Sequence, residues 1–260
     1  MRQAKRWTED KLLPRGWVDP FRQLAMFTAA FLLYGLVRGL VNSGGETYKP
    51  FGDATAVIHL ERTLHIFVEP GIQSWAEDSH WLITALSWSY LNTQFAITTA
   101  VIVFIYVRHN ESFYFVRNMF LIAMGLALIG YSVFPTAPPR LMPEWGFNDP
   151  VSQLMTGGLT PLDYTTIGHM TNDYAAIPSM HVCFAVMIAW PMAKLVSWRW
   201  AKVLWALYPV LVTFIVVATG NHFLVDVFLG VLTAGVAAAL AYRPLALARP
   251  EVWAFGQATP

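Results

Sequence analysis

The sequence predicts an all-α integral membrane protein: six transmembrane helices in a bundle, one further helix at the outer interface, and a long extracytoplasmic loop. Three observations carry this. The 260-residue chain is 56% hydrophobic but only 13% charged, about half the ~25% charge of a soluble domain. Charge-free apolar stretches recur at lengths approaching the ~20 residues that a helix needs to cross a hydrocarbon core. The Lys and Arg residues are shared very unevenly among the segments between those stretches. The same composition excludes disordered, collagen-like and disulfide-scaffold classes. A net charge of +1 leaves no basic field to recruit nucleic acid. Cys183 stands alone, so an intrachain disulfide and a Cys-based metal cluster are excluded.

Residues 1–22 read as a basic cytoplasmic N-terminus that runs into apolar sequence with no small-residue cleavage site, so no secretory signal peptide is expected. Residues 23–242 form a single membrane domain and 243–260 a cytoplasmic tail. The first span lies at 23–37 and continues past Arg38, the second at 81–107. The third lies at 118–139 and is ended by Pro135, Pro138 and Pro139. The fourth, 182–193, is short and contains Pro191; it spans if it starts near Ser179 and Lys194 snorkels. The fifth is 203–220. The sixth, 227–242, begins before His222.

Six spans put both termini on one side. With the N-terminus cytoplasmic, the outer segments hold only Arg38, Lys49, Arg62 and Arg140 of the 17 Lys and Arg, and the cytoplasmic segments hold the rest. Two outer connections stand out. In 42–80, the stretch 56–75 is amphipathic, with Val57, Leu60, Leu64, Phe67 and Val68 near helical spacing; it is too charged to span and reads as one helix lying on the interface. The second, 135–178, is far longer than the ~12–15 residues beyond which loops are uncommon and often functional. Trp75, Trp81, Trp145, Trp198 and Trp200 fall near the expected interfaces as an aromatic belt.

Ionisable groups near membrane depth are functional candidates because burying them is costly. Arg140, His181, His222 and Asp226 all fall at outer ends of spans. His222 and Asp226, four apart, share a helix face. There the carboxylate can accept the imidazole Nδ1–H and leave the Nε2 lone pair as a nucleophile, or the pair can simply close a helix end. Ser179 reads as an N-cap. The first-turn amides behind it form an anion site, and His181 can protonate a leaving oxygen or serve as an interfacial residue. Arg140 can grip phosphate oxygens as a fork or anchor lipid headgroups.

In order along the chain, Phe134-Pro135-Thr136-Ala137-Pro138-Pro139-Arg140 precedes Asn172-Asp173-Tyr174-Ala175-Ala176-Ile177-Pro178-Ser179-Met180-His181. Ala218-Thr219-Gly220-Asn221-His222, with Asp226 beyond it, follows. With six spans, this resembles the type 2 phosphatidic acid phosphatase and haloperoxidase superfamily over about residues 55–240, and most nearly its inositol phosphorylceramide synthase-like, inositolphosphotransferase branch. The resemblance implies an extracytoplasmic site. There His222 attacks phosphorus and becomes phosphohistidine, and Asp226 orients it. His181 is the general acid and then the base, while Arg140 and Ser179 bind the phosphate. No metal and no cofactor are expected.

The sequence departs from the superfamily pattern in four places. Val133 stands where the phosphatases carry Lys, Leu141 where Pro follows the Arg, Met180 where Gly is usual, and Val216 where the third motif carries Arg. Each lost charge-assisted contact weakens phosphate binding by ~1.5–3 kcal/mol. A phosphodiester needs fewer cations than a phosphomonoester, so the departures favour headgroup transfer. Lys49, Arg62, His65 and His169, all on the outer side, can replace the missing cations or simply occupy interfacial and loop positions. Asp163 and Asp173 read as solvated loop positions that can also meet an acceptor.

The expected function is therefore a lipid phosphotransferase or phosphatase. Its donor is a lipid phosphate or phospholipid and its acceptor a polyol, a lipid alcohol or water. The alternative is a non-catalytic lipid-binding protein on the same scaffold. Vanadate-dependent halide oxidation is disfavoured by the missing cations.

Overall fold

The computed structural model describes residues 15–42, 48–156 and 174–256. These form α1 (Val18–Asn42), α2 (Tyr48–Thr63), α3 (Glu69–Glu77), α4 (His80–Arg108), α5 (Asn110–Val133), α6 (Pro150–Thr156), α7 (Met180–Leu195), α8 (Arg199–Ala218), α9 (Leu224–Leu240) and α10 (Pro250–Trp253). Short 3-10 turns lie at Pro139–Leu141 and Pro143–Trp145, and a π turn at Ala241–Ala246 extends α9. Among the described residues there is no strand, only an isolated bridge between Thr136 and Ala175.

Among the described residues, four helices are long and apolar enough to cross a membrane: α4, α5, α8, and α9 with its extension. The apolar α7 is 16 residues long. The first expected stretch lies within α1, which extends it at both ends. Phe95 and Val103 on α4, Leu204 and Leu207 on α8, and Phe228 and Leu232 on α9 turn outward, a bare apolar exterior that water would not tolerate over this area. The expected third span starts earlier than its charge-free stretch because α5 buries Arg117. Its guanidinium donates to Asn118 Oδ1 at 2.7 Å and to Gln23 Oε1 at 3.1 Å, so the charge is satisfied inside the bundle.

α5 is the central helix. Phe113, Met119, Phe120, Ala123 and Tyr131 belong to the core through which it packs against α1, α4, α7 and α9. α8 closes on α7 through Val182, Ala185, Val212 and Val216. At Gly230 a Cβ would overlap the Ser179 carbonyl, so glycine lets α9 lie directly against the start of α7.

Two expectations about local structure are corrected. The stretch 56–75 is not one helix. α2 ends at Thr63, His65 adopts a left-handed conformation with φ 58°, and α3 restarts with Pro70 in its first turn. Proline suits a first turn but cannot continue the preceding helix. The sixth helix does not begin before His222. α9 starts at Leu224, and His222 sits in the turn before it, because the α8–α9 junction spends its amides on a cap. In the long connection, the described part carries two 3-10 turns and α6, which Asp149 caps by accepting from the Ser152 amide at 2.9 Å. Asp163, His169 and Asp173 lie outside the described residues.

Candidate active site

The site is built on how α8 stops. Gly220, at φ 66°, follows the last helical turn. Its N–H donates to the Val217 carbonyl at 3.0 Å, and the Asn221 N–H donates to the Val216 carbonyl at 2.9 Å. This is a Schellman C-cap, which requires a left-handed residue at that position. The chain then turns through His222 and enters α9. The Phe223 N–H donates to Asp226 Oδ2 at 2.9 Å, the Leu224 N–H to Glu69 Oε1 at 2.9 Å, and the Val225 N–H to Glu61 Oε1 at 2.8 Å. Three consecutive amides thus meet three carboxyl groups.

Held in that turn, His222 is buried, with its Nδ1 at hydrogen-bond distance, 3.2 Å, from Asp226 Oδ2. Asp226 also ties the two motifs together, since its backbone carbonyl accepts from the Ser179 N–H at 3.1 Å. Ser179 caps α7 as expected, its Oγ accepting from the Val182 N–H at 3.4 Å. Two residues on, the His181 ring lies 5.9 Å from that of His222 between centroids and sits tilted at 30° against Tyr90 at 4.5 Å. The His181 carbonyl accepts from Gln94 Nε2 at 3.1 Å, and Gln94 Oε1 accepts from the Tyr208 hydroxyl at 2.9 Å. Both sides of the histidine pair are therefore fixed from behind.

Arg140 reaches the same place from the end of α5. Its backbone N–H donates to the Gly220 carbonyl at 2.7 Å and its Nη1 to Asn221 Oδ1 at 2.8 Å. Its Nε pairs with Asp149 at 3.5 Å. All five expected site residues (Arg140, Ser179, His181, His222 and Asp226) are thus brought together around the α8–α9 junction. The proposed substitute cations behave differently. Arg62 lies over the rings of Trp145 and Phe67, at 4.6 and 5.2 Å. His65 occupies the exposed α2–α3 turn. Lys49 donates to the Val133 carbonyl at 3.5 Å, at the end of α5. Val216 is packed inside the α7–α8 interface.

Several residues around the site were not legible beforehand. Glu61, Glu69 and Asn221 hold it. Gln73 braces it, its side-chain Nε2 donating to the Asn148 carbonyl at 3.0 Å and its Oε1 accepting from the Asn148 N–H at 3.1 Å. The signal for Glu61 was present: Ala54, Val57, Ile58 and Glu61 fall at i, i+3, i+4 and i+7 and form the buried face of α2. Leu60 and Leu64, read from the sequence as part of the apolar face, are exposed.

Beside the histidines, α1, α4, α5 and α7 line a half-open apolar slot of about 1130 Å³, above the ~300–1,000 Å³ of a drug-sized pocket. Along α4 it is lined from Tyr90 to Val107, roughly 26 Å at 1.5 Å per residue. His181 and Tyr90 line one end.

Gly220→Ala is expected to destabilise the protein by about 1–3 kcal/mol, read as a lower unfolding temperature in detergent. The residue is left-handed, and a Cβ there would stand 2.8 Å from Gln73 Nε2 and 3.3 Å from Arg140 Cβ.

A family model described as the PAP2 superfamily matches residues 55–240. No curated protein and no solved structure matches the chain.

Proposed function

The chain belongs to the PAP2 superfamily, and from that membership we propose that it is a lipid phosphotransferase working through a phosphohistidine at the extracytoplasmic face of a six-span membrane domain. Membership supports a phosphatase- or phosphotransferase-type function on lipid phosphates. The observation that carries the finer reading is the His222–Asp226 hydrogen bond with His181 opposite it, at the end of a long apolar slot.

His222 Nε2 attacks phosphorus, the bond from phosphorus to the leaving oxygen breaks, and His181 gives that oxygen its proton. Asp226 holds the imidazole in the tautomer this needs and stabilises the cation that develops. Arg140 and the first-turn amides of α7 stabilise the charge on the phosphoryl oxygens. In the second half, His181 takes the proton of the acceptor hydroxyl, whose oxygen attacks phosphorus as the phosphorus–nitrogen bond breaks. An alcohol acceptor, inositol-type or lipid, is favoured over water. Valine at 133 and 216 suits the lower charge of a phosphodiester, and the long 135–178 connection can exclude water. The positive-inside bias supports cytoplasmic termini and a site on the outer side. The slot suits the hydrocarbon of the lipid.

The test is turnover of purified protein in lipid, using labelled lipid phosphates and phosphodiesters with and without polyols. Label moving to an alcohol supports transfer. Release of inorganic phosphate alone makes the protein a phosphatase and overturns the acceptor assignment. Absence of turnover across the panel favours the lipid-binding alternative, which the two missing cations motivate.

The slot adds a chain-length prediction. Thr98→Trp, in the slot wall, is expected to raise KM for long-chain substrates roughly tenfold by displacing about two methylenes at ~0.8 kcal/mol each. Short-chain analogues should keep their KM. An equal loss for both chain lengths would place the hydrocarbon elsewhere.

A further inference from the structure

The reading of His222 as nucleophile leaves two buried acids without a part in the chemistry. Glu61 closes α2 and Glu69 opens α3, and both are fully shielded from solvent. Each uses Oε1 to accept from an amide at the start of α9, at 2.8 Å for Val225 and 2.9 Å for Leu224. The Oε2 of each is buried, with no donor reaching it from any other described group. Two adjacent buried carboxylates cannot both be ionised. The Glu61 carboxyl lies within hydrogen-bond reach of Glu69, so one proton shared between the two side chains resolves the arrangement.

We propose that Glu61 and Glu69 are positioning residues for the nucleophile, sharing one proton and clamping the first amides of α9 so that His222 is held at the height and tilt needed for attack. The inference rests on the proposed role of His222.

The physical case has three parts. First, the clamp acts where rotation matters. Asp226 takes the Phe223 amide, Glu69 the next and Glu61 the one after, so the His222 turn is gripped from three separate helices. Second, the occupant must be anionic yet not doubly so. A helix N-terminus favours negative charge, and the shared proton leaves one charge on the pair rather than two. Burial, the hydrogen bond to Glu69 and the charges of Glu69 and Asp226 push the Glu61 carboxyl up to about 9, against the pull of the Val225 amide. Third, these amides are already occupied, so phosphate recognition falls to the start of α7, on the opposite side of His222.

A shared proton makes an unusual prediction for glutamine. In Glu61→Gln the amide oxygen still accepts from Val225 and the amide N–H₂ donates to Glu69, so hydrogen bonds and charge are both preserved. Glu69→Gln is the mirror case. In the double variant two N–H₂ groups face one another and the pair's charge is gone. Each single variant should keep kcat within about threefold of wild type at neutral pH, because no buried partner is orphaned. The double variant and Glu61→Ala should lose about 10²-fold in kcat, with KM little changed, as expected of a misplaced reacting group. Wild-type activity should fall above about pH 9, where the shared proton leaves; Glu61→Gln should hold its activity there.

A second readout needs no substrate. Folded Glu61 keeps its proton to about pH 9, against an ordinary value of 4.5. Between those values the folded chain carries the extra proton, so the contribution of this group to stability falls as pH rises through the window and is flat above it. Unfolding temperature in detergent, measured across that window, should therefore decline less steeply for Glu61→Gln than for wild type. A single glutamine as damaging as the double variant, or parallel stability profiles, would overturn the shared proton. If the stability profiles diverge as expected while no lipid is turned over, the proposed reaction fails and the proton-sharing clamp stands.

Discussion

Replacing His222 with alanine is expected to remove phosphoryl transfer, with a loss on the order of 10⁴-fold or more, since the proposed covalent route begins at this imidazole. His222 is buried in a turn held on both sides by backbone hydrogen bonds, so alanine leaves the junction intact and the lost activity reports the imidazole. Asp226→Asn is the informative companion. Oδ2 accepts from both the His222 ring and the Phe223 amide, at 3.2 and 2.9 Å. An asparagine oxygen placed there keeps both bonds, while its N–H₂ enters the buried position of Oδ1, where no partner waits. Tautomer and geometry survive and the negative charge does not. The expected loss is on the order of 10²–10⁴-fold in kcat. Rapid acid-sensitive labelling with a ³²P-donor should trap phosphoprotein in wild type, little in Asp226→Asn and none in His222→Ala. Labelling that persists in His222→Ala would move the nucleophile to another residue.

The sequence was legible where periodicity, charge and motif spacing act locally. The apolar stretches became α4, α5, α8 and α9, the Ser179 cap sits at the start of α7, and the motif residues converge. The errors share a physical origin. Counting apolar side chains predicts one interfacial helix over 56–75, with Leu60 and Leu64 on its apolar face, but the chain breaks after Thr63 and both leucines are exposed. The face that is buried carries Glu61 among Ala54, Val57 and Ile58. A glutamate breaks a hydrophobic count, and the partners that make its burial affordable, the Val225 amide and Glu69, are remote in sequence. The same holds for His222. Four-residue spacing suggested a shared helix face, and the contact is real, but it forms across a cap because Gly220 turns the chain and carboxyl groups seize the amides. Arg140 could be assigned by motif; its grip on Asn221 could not, because it depends on where two loops meet. The place of Lys49 is likewise a tertiary matter, since it meets the Val133 carbonyl from another helix.

His181→Gln should separate proton donation from phosphate binding. Glutamine keeps the first turn of α7 and the backbone carbonyl that Gln94 holds at 3.1 Å, so the amides around Ser179 stay in place. What is lost is the proton for the leaving oxygen, worth ~10²–10⁴-fold in general acid–base catalysis. That loss should depend on the leaving group. A lipid alcoholate is a poor leaving group, so turnover of a natural-type donor should fall by the full amount. A nitrophenyl phosphoester leaves without help, and its first half-reaction should be nearly untouched. The second half-reaction needs His181 as base, so phosphohistidine should accumulate in the variant with the activated donor and decay slowly. A strong nucleophile that needs no deprotonation, such as azide or hydroxylamine, should then restore release. The predicted pattern is specific to a group that acts on the leaving oxygen first and the acceptor afterwards. A uniform loss across leaving groups, with no accumulated phosphoprotein, would instead make His181 a phosphate ligand, and the proton would have to come from elsewhere in the site.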